Sequence, residues 1–327
     1  MDHAIEMTGV RKTFGPKVAV EGMDLVIPQG SLHGFIGPNG AGKSTTIRMI
    51  MSILFPDRGE LKVLGKRSAV ESKDRIGYLP EERGVYKKMK VGAFLAHMAR
   101  LKGHDAGSEL TRKVNDWLEK IGLPDVSRKK CEELSKGMQQ KVQFVSCVLH
   151  EPDLLILDEP FSGLDPVNMR LLRDLIREQH EAGRTVIFST HVMSQAEQLC
   201  DHIVMIHNGQ KVLDDPVQTI RSRHKPEGVW FEPYHADREQ EALAAVTGVP
   251  GIAEVRRVDG RLEARLDAGV EPSEAIRLVA QAAPMASVEL HRPGLEDIFI
   301  NIVTGGSASA DDRAQLRAAL RDIGGDA

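Results

Sequence analysis

The segment Gly37-Pro38-Asn39-Gly40-Ala41-Gly42-Lys43-Ser44-Thr45 places glycine at 37, 40 and 42 and ends in a lysine followed by two hydroxyl side chains. Gly37, Gly42, Lys43 and Ser44 meet the spacing of a phosphate-binding loop. Glycines let the backbone turn through conformations closed to other residues, so that successive N–H groups point inward at an anion. A helix beginning near Lys43 adds its positive end, Lys43 reaches the β- and γ-phosphates, and the Ser44 hydroxyl is placed to ligate Mg²⁺. Leu32 to Ile36 reads as a buried strand entering the loop and Thr46 to Leu54 as a helix leaving it, the order such a loop requires.

Working outward, residues 3–10 and 17–27 alternate apolar and polar side chains, as antiparallel strands with one buried face do. Phe14 lies in the turn between them, where it either stacks on a flat adenine ring or staples the turn. Glu60–Leu64 and Ile76–Pro80 are further strands, and Glu81 and Glu82 follow the second directly. Residues 91–102 and 108–121 show helical spacing, a helical insert within an α/β core. The cluster Lys87-Lys88-Met89-Lys90 ahead of it reads as a solvated face.

Leu134-Ser135-Lys136-Gly137-Met138-Gln139 leads into an apolar helix, with Ser135 placed as its N-cap. The run Leu154-Leu155-Ile156-Leu157-Asp158-Glu159-Pro160 is a buried strand ending in two carboxylates. Beside a phosphate loop, Asp158 suits Mg²⁺ held through its water shell, and Glu159 suits removal of a proton from attacking water. Ser162-Gly163-Leu164-Asp165-Pro166 opens a helix that ends at Gly183, and Thr185–Ser189 is a second buried strand running to His191. That histidine falls at the carboxyl edge of the sheet, where open α/β folds bind ligands.

Taken together, and in this order, residues 3–222 resemble the nucleotide-binding domain of the ATP-binding-cassette (ABC) family. The resemblance implies a P-loop NTPase of ABC type: a mixed core sheet, an antiparallel β subdomain, and a helical subdomain over about 82–150. It implies ATP and Mg²⁺ as cofactors, adenine stacking by Phe14, phosphate binding by Gly37 to Thr45, catalytic-base action by Glu159 and γ-phosphate contact by His191. Ser135, Gly137 and Asp165 go with the nucleotide site, Ser135 and Gly137 touching ATP held by a second subunit. Ser44, Glu81 and Asp158 form the metal set. A head-to-tail dimer, of this chain with itself or with a paralogue, then carries two shared sites whose closure drives permease subunits in the membrane. Two positions depart from the family pattern: Lys136 and Met138 alter its Leu-Ser-Gly-Gly-Gln signature, and Glu81 stands where Gln is usual. Glu81 is expected to remain a metal or water contact, with Lys136 offsetting its charge in the closed dimer.

Past residue 225 the order is strand 229–232, helix 238–246, hairpin 252–258 and 261–266, helix 272–282 and strand 287–290. This βαββαβ order predicts a small α+β ferredoxin-like accessory domain over 226–304. Pro293-Gly294-Leu295-Glu296-Asp297-Ile298-Phe299 opens a last helix, an ending similar to the C-terminal extension of sodium-efflux and drug-export ABC ATPases. Residues 305–327, rich in Gly, Ala, Ser and Asp, read as a flexible tail.

Composition sets outer limits. A chain of 327 residues accommodates two domains of roughly 150 residues each. With 28% charged residues and a formal net charge of −4, no field draws it to nucleic acid. The opening Met-Asp-His-Ala-Ile-Glu lacks the pattern of a secretory signal, and no apolar run is long enough to span a bilayer. The expected place is the cytoplasm, peripheral on the inner face of the plasma membrane through the permease. Cys131, Cys147 and Cys200 are too scattered for a Cys-x-x-Cys pair and read as small buried hydrophobes. The competing functions are a soluble ABC-type switch acting on ribosomes or DNA, which would carry two cassettes or long coiled coils, and a phosphate-loop kinase, which would lack the signature and the histidine.

Overall fold

The computed structural model describes residues 2–82, 84–224, 226–258 and 260–305. Residues up to Val217, together with the described residues from Ile302 on, form one compact unit and Gln218–Asn301 a second.

The first unit is built on strands whose side chains leave no choice of face. Leu32–Ile36 (β3), Leu154–Asp158 (β6) and Thr185–Thr190 (β7) are buried at every residue, which is how strands covered on both faces read. With Ile76–Leu79 (β5), His202–His207 (β8) and Gln210–Pro216 (β9) they form a six-stranded sheet in the order β5-β6-β7-β3-β8-β9. Its pairs are parallel except β8 with β9, so the core sheet is mixed. The parallel register aligns Ile36 with Thr190 and Asp158 with Ser189, bringing the carboxyl ends of β3, β6 and β7 to one edge.

His3–Phe14 (β1), Lys17–Pro28 (β2) and Arg58–Val63 (β4) make a separate antiparallel sheet. Its alternating apolar side chains, among them Ile5, Met7, Val20, Leu25 and Ile27, share a core with Phe35 and with Ile47 and Ile50. Phe14 is the last residue of β1, paired with Lys17 across Gly15-Pro16, rather than part of the turn itself.

Lys43–Ile50 (α1) follows the loop. The helix expected to reach Leu54 stops four residues sooner, because Ser52 adopts φ 55° and Ile53 N–H returns to Arg48 O at 2.9 Å. That is the bond pattern of a helix C-terminus closed by a left-handed residue, a position usually marked by glycine. Ser52 gains a compensating contact there, accepting the Ala69 N–H at 3.0 Å.

Val91–Leu101 (α2), Ser108–Lys120 (α3) and Lys136–Val148 (α4) supply the helical insert. Ser135 caps α4 as expected, accepting the Met138 N–H at 3.3 Å. Pro166–Glu181 (α5) begins at Asp165, whose carboxylate accepts the Val167 and Asn168 N–H groups, both at 3.0 Å. Met193–Leu199 (α6) follows β7, and Val217–Arg223 (α7) follows β9. The three cysteines are free and buried. Among the described residues no helix is long and apolar enough to cross a membrane.

In the second unit Gly228–Pro233 (β10), Glu239–Thr247 (α8), Ile252–Val258 (β11), Arg261–Leu266 (β12), Pro272–Ala282 (α9) and Met285–His291 (β13) keep the βαββαβ order. The antiparallel sheet runs β11-β12-β10-β13, the interleaved order of a ferredoxin-like fold. Val229, Phe231, Leu262 and Ala264 pack with Val246 of α8 and with Ala275 and Val279 of α9. Leu295–Val303 (α10) is the last described helix. The hairpin residue Asp259, and the expected tail beyond Gly305, lie outside the described residues.

Candidate functional site

Phe14, Lys17, Ala19, Asn39, Gly40, Gly42, Lys43, Ser44, Thr45, Glu81 and Glu159 line one groove of about 360 Å³. The loop's shape needs its glycines. Gly37 sits at φ 152°, and a Cβ there would meet Ile206 O at 2.1 Å; Gly42 sits at φ 110°, and a Cβ there would meet Ala19 O at 2.5 Å. No other residue type fits either position.

Lys43, only 5% exposed, donates from Nζ to Gly37 O at 2.8 Å and Pro38 O at 3.2 Å, and stands 3.7 Å from Glu159 Oε1. Burial pulls its pKa below the usual lysine range, while Glu159, Asp158 and Glu81 oppose that pull. Ser44 Oγ donates to Asp158 Oδ1 at 3.2 Å. Burial raises the Asp158 pKa, against hydrogen bonds from Ser189 and Ser44 that lower it. Glu81 is raised too, by burial first and then by the neighbouring charges of Asp158 and Glu159. Three carboxyl groups therefore converge around one ammonium, a field that favours a cation.

Glu159 is 7% exposed and adopts φ 47°. Its Oε2 accepts from His191 Nδ1 at 3.1 Å, while its buried Oε1 has no hydrogen-bond partner. The bond to Glu159 raises the His191 pKa, outweighing burial. With Oε2 held by the histidine and Oε1 facing the lysine without a hydrogen bond, the carboxylate keeps lone pairs on Oε1 that can accept a proton.

The sequence-based candidates thus divide. Phe14, 46% exposed, Asn39, Gly40, Gly42 to Thr45, Glu81 and Glu159 line the groove, whereas Gly37, Pro38 and Ala41 of the loop do not; Asp158 and His191 stand directly behind it through Ser44 and Glu159. Ser135, Gly137 and Asp165 are not among the lining residues. They gather where α4 and α5 begin, a Cβ at Gly137 falling 3.3 Å from Asn168 Nδ2. Ser189 escaped the sequence reading. It donates to Asp158 Oδ1 at 2.5 Å and accepts the Glu159 N–H at 3.0 Å. As one hydroxyl at the end of an apolar strand it carries no motif; only the pairing of β6 with β7 reveals it.

A larger groove, about 840 Å³, lies beside β1, β2, β8 and β9 and is lined by His33, His202, Lys211 and Asp214. It lacks both the glycine loop and the convergent carboxylates, so size does not select the site here.

Among the described residues no group of three or more His, Cys, Asp or Glu side chains is disposed to hold a metal ion. Mg²⁺ takes one or two protein oxygens and completes its shell with phosphate and water. Ser44, Asp158 and Glu81 are hard oxygen donors of the right kind, and the Ser44 to Asp158 contact shows that two of them converge.

Comparison with known proteins extends these observations. The family model described as ABC transporter matches residues 20–162, and that described as ATP-binding protein DrrA1-3-like, C-terminal domain, matches residues 216–303. The uncharacterized ABC transporter ATP-binding protein YhaQ of Bacillus subtilis (strain 168) is 40% identical over 296 residues, 90% of this chain and 96% of that protein. Daunorubicin resistance ATP-binding protein DrrA3 of Streptomyces coeruleorubidus is 30% identical over 325 residues, 97% of this chain and 99% of the relative. A solved structure of the ATP binding subunit of an ABC transporter superposes with a TM-score of 0.61 at 30% identity, covering 67% of this chain and 92% of the other. Loop, paired carboxylates, histidine and near full-length similarity agree, and the chain belongs to the family of ABC transporter ATP-binding proteins, which are ATPases.

Proposed function

We propose that this ATPase powers an exporter whose permease is a separate chain, and that two nucleotide-binding units close head to tail around two Mg²⁺-ATP molecules. The observation that carries the reading is Glu159, buried between Lys43 and His191, with Oε2 hydrogen-bonded to the histidine and Oε1 3.7 Å from the lysine. Export is supported by the drug-resistance name of one relative and by the match of residues 216–303 to the DrrA-like C-terminal domain. The same similarities leave a ribosome or DNA switch without support. We place the chain in the cytoplasm, held at the membrane by its permease, with 226–304 as the accessory domain.

The residues act as follows. Phe14 stacks on the adenine, and the N–H groups of the loop from Asn39 to Thr45 bind phosphate oxygens. Lys43 exchanges its carbonyl partners Gly37 and Pro38 for the β- and γ-phosphates. Ser44, Asp158 and Glu81 would hold Mg²⁺, which supplies neutralisation of phosphate charge. Glu159 takes the proton from the attacking water through Oε1, and His191, held to Oε2, contacts the γ-phosphate. Ser135 and Gly137 of one subunit complete the site of the other, which accounts for their distance from the groove of their own chain. Lys136 beside them offsets Glu81 in the closed pair.

ATP turnover of the Glu159→Gln protein tests the assignment. Removing a general base lowers kcat about 10²- to 10⁴-fold. Wild-type turnover in that variant would remove Glu159 from the mechanism.

A further inference from the structure

Ser189 belongs to no motif of the sequence, yet the Asp158 carboxylate and the Glu159 backbone N–H at the end of β6 are both tied to it. It is fully buried, set opposite Asp158 by the parallel register of β6 and β7. Its hydroxyl has one proton, and the 2.5 Å contact sends it to Asp158 Oδ1, the oxygen that also receives Ser44 Oγ. A lone pair of the same hydroxyl accepts the Glu159 N–H at 3.0 Å. Glu159 needs that hold: φ 47° is a left-handed conformation that side-chain-bearing residues seldom adopt and that persists only when surrounding contacts fix it. The Ser189 hydroxyl thus bonds both the Asp158 carboxylate and the Glu159 amide.

We propose that Ser189 is a positioning residue for ATP hydrolysis, fixing the Asp158 carboxylate and the strained Glu159 backbone against each other so that the metal-side and base-side groups keep one relative geometry. The inference rests on the reading of Glu159 as the base. Ser189 touches no substrate; it acts through its two neighbours. Its donor bond serves Asp158 and its acceptor bond serves Glu159, so its loss disturbs metal requirement and chemistry together while leaving the adenine and phosphate contacts of Phe14 and the loop in place.

The test uses the full chain with Ser189→Ala, and with Ser189→Thr and Ser189→Val, which share a shape and differ in the hydroxyl. Glu159→Gln is the control. Loss of a buried hydrogen bond to a charged group predicts a fall in kcat of about 10- to 100-fold for the Ala and Val variants. The KM for ATP stays within about twofold, because uniform substrate binding is untouched. The Mg²⁺ concentration for half-maximal turnover rises, and Ser189→Thr recovers much of the lost kcat. In protein free of nucleotide and metal, hydrogen exchange of the peptide containing Glu159 speeds up in the Ala variant. Ser189→Ala with wild-type kcat and exchange overturns the proposal, and so do Thr and Val variants that behave alike. If Glu159→Gln collapses while Ser189→Ala does not, only the role of Ser189 falls. If Glu159→Gln turns over like wild type, the reading of the base falls and takes this proposal with it.

Discussion

Single residues carry more of this molecule's pH behaviour than its net charge does. His33 on β3 stacks on His202, ring centroids 4.5 Å apart, and burial followed by the His202 charge lowers its pKa to about 4. Ser31 Oγ gives its only proton to Pro28 O at 2.6 Å, so His33 Nδ1, 3.1 Å from that oxygen, must be the donor. Further protonation falls on Nε2. His150 is likewise lowered to about 4, by burial first, while its Nε2 donates to Ile76 O at 3.2 Å. Between pH 6.5 and about 4 the unfolded chain binds protons at both sites that the folded chain refuses, so stability falls as pH falls. Each histidine withdraws on the order of 3 kcal/mol across that window. Urea unfolding at pH 7 and pH 5 checks this: wild type loses stability on acidification, and His33→Gln loses less of it. A His33→Gln profile parallel to wild type would refute the assignment.

At the scale of elements, strands and helices were legible where local chemistry is unambiguous. The fully apolar runs Leu154–Leu157 and Val186–Phe188, the glycine loop and the Ser135 cap each specify their structure without help from distant residues. The hairpin 252–258 with 261–266 and the helix 272–282 appear with the bounds expected. The end of α1 was not legible, since Ser52 takes the left-handed turn that glycine normally signals. Nor was Ser189, whose role depends on strand register, or the pairing of His33 with His202, which come from neighbouring strands. Close packing between elements supplies a further test. A Cβ on Gly77 of β5 would meet Cys147 O of α4 at 2.2 Å, a backbone atom that cannot swing aside. Gly77→Ala is therefore expected to cost about 1–3 kcal/mol and to lower the thermal midpoint by several degrees. Because β5 leads into Glu81, the same shift should also reduce turnover; an unchanged melting profile would mean that α4 and β5 are not so tightly seated.

For the whole molecule, the proposed shared site divides over two surfaces of one chain. The groove at the loop offers Lys43, Ser44 and Glu159 but none of Ser135, Gly137 or Asp165. Those three sit together at the starts of α4 and α5, where Asp165 is already engaged with backbone N–H groups of its own helix. On the proposed mechanism two units, this chain with itself or with a paralogue, meet about a two-fold axis, each lending its α4 start to the other's nucleotide. The same proposal has turnover separate the units, so that a protein arrested before turnover is expected to accumulate as the pair.

The molecular mass of Glu159→Gln protein in solution, with Mg²⁺ and with or without ATP, tests the shared site most directly. The account predicts a monomer without nucleotide and a stable dimer with ATP, while the same variant hydrolyses ATP about 10²- to 10⁴-fold more slowly than wild type. A variant that binds ATP, fails to hydrolyse it and remains a monomer would contradict pairing by nucleotide alone.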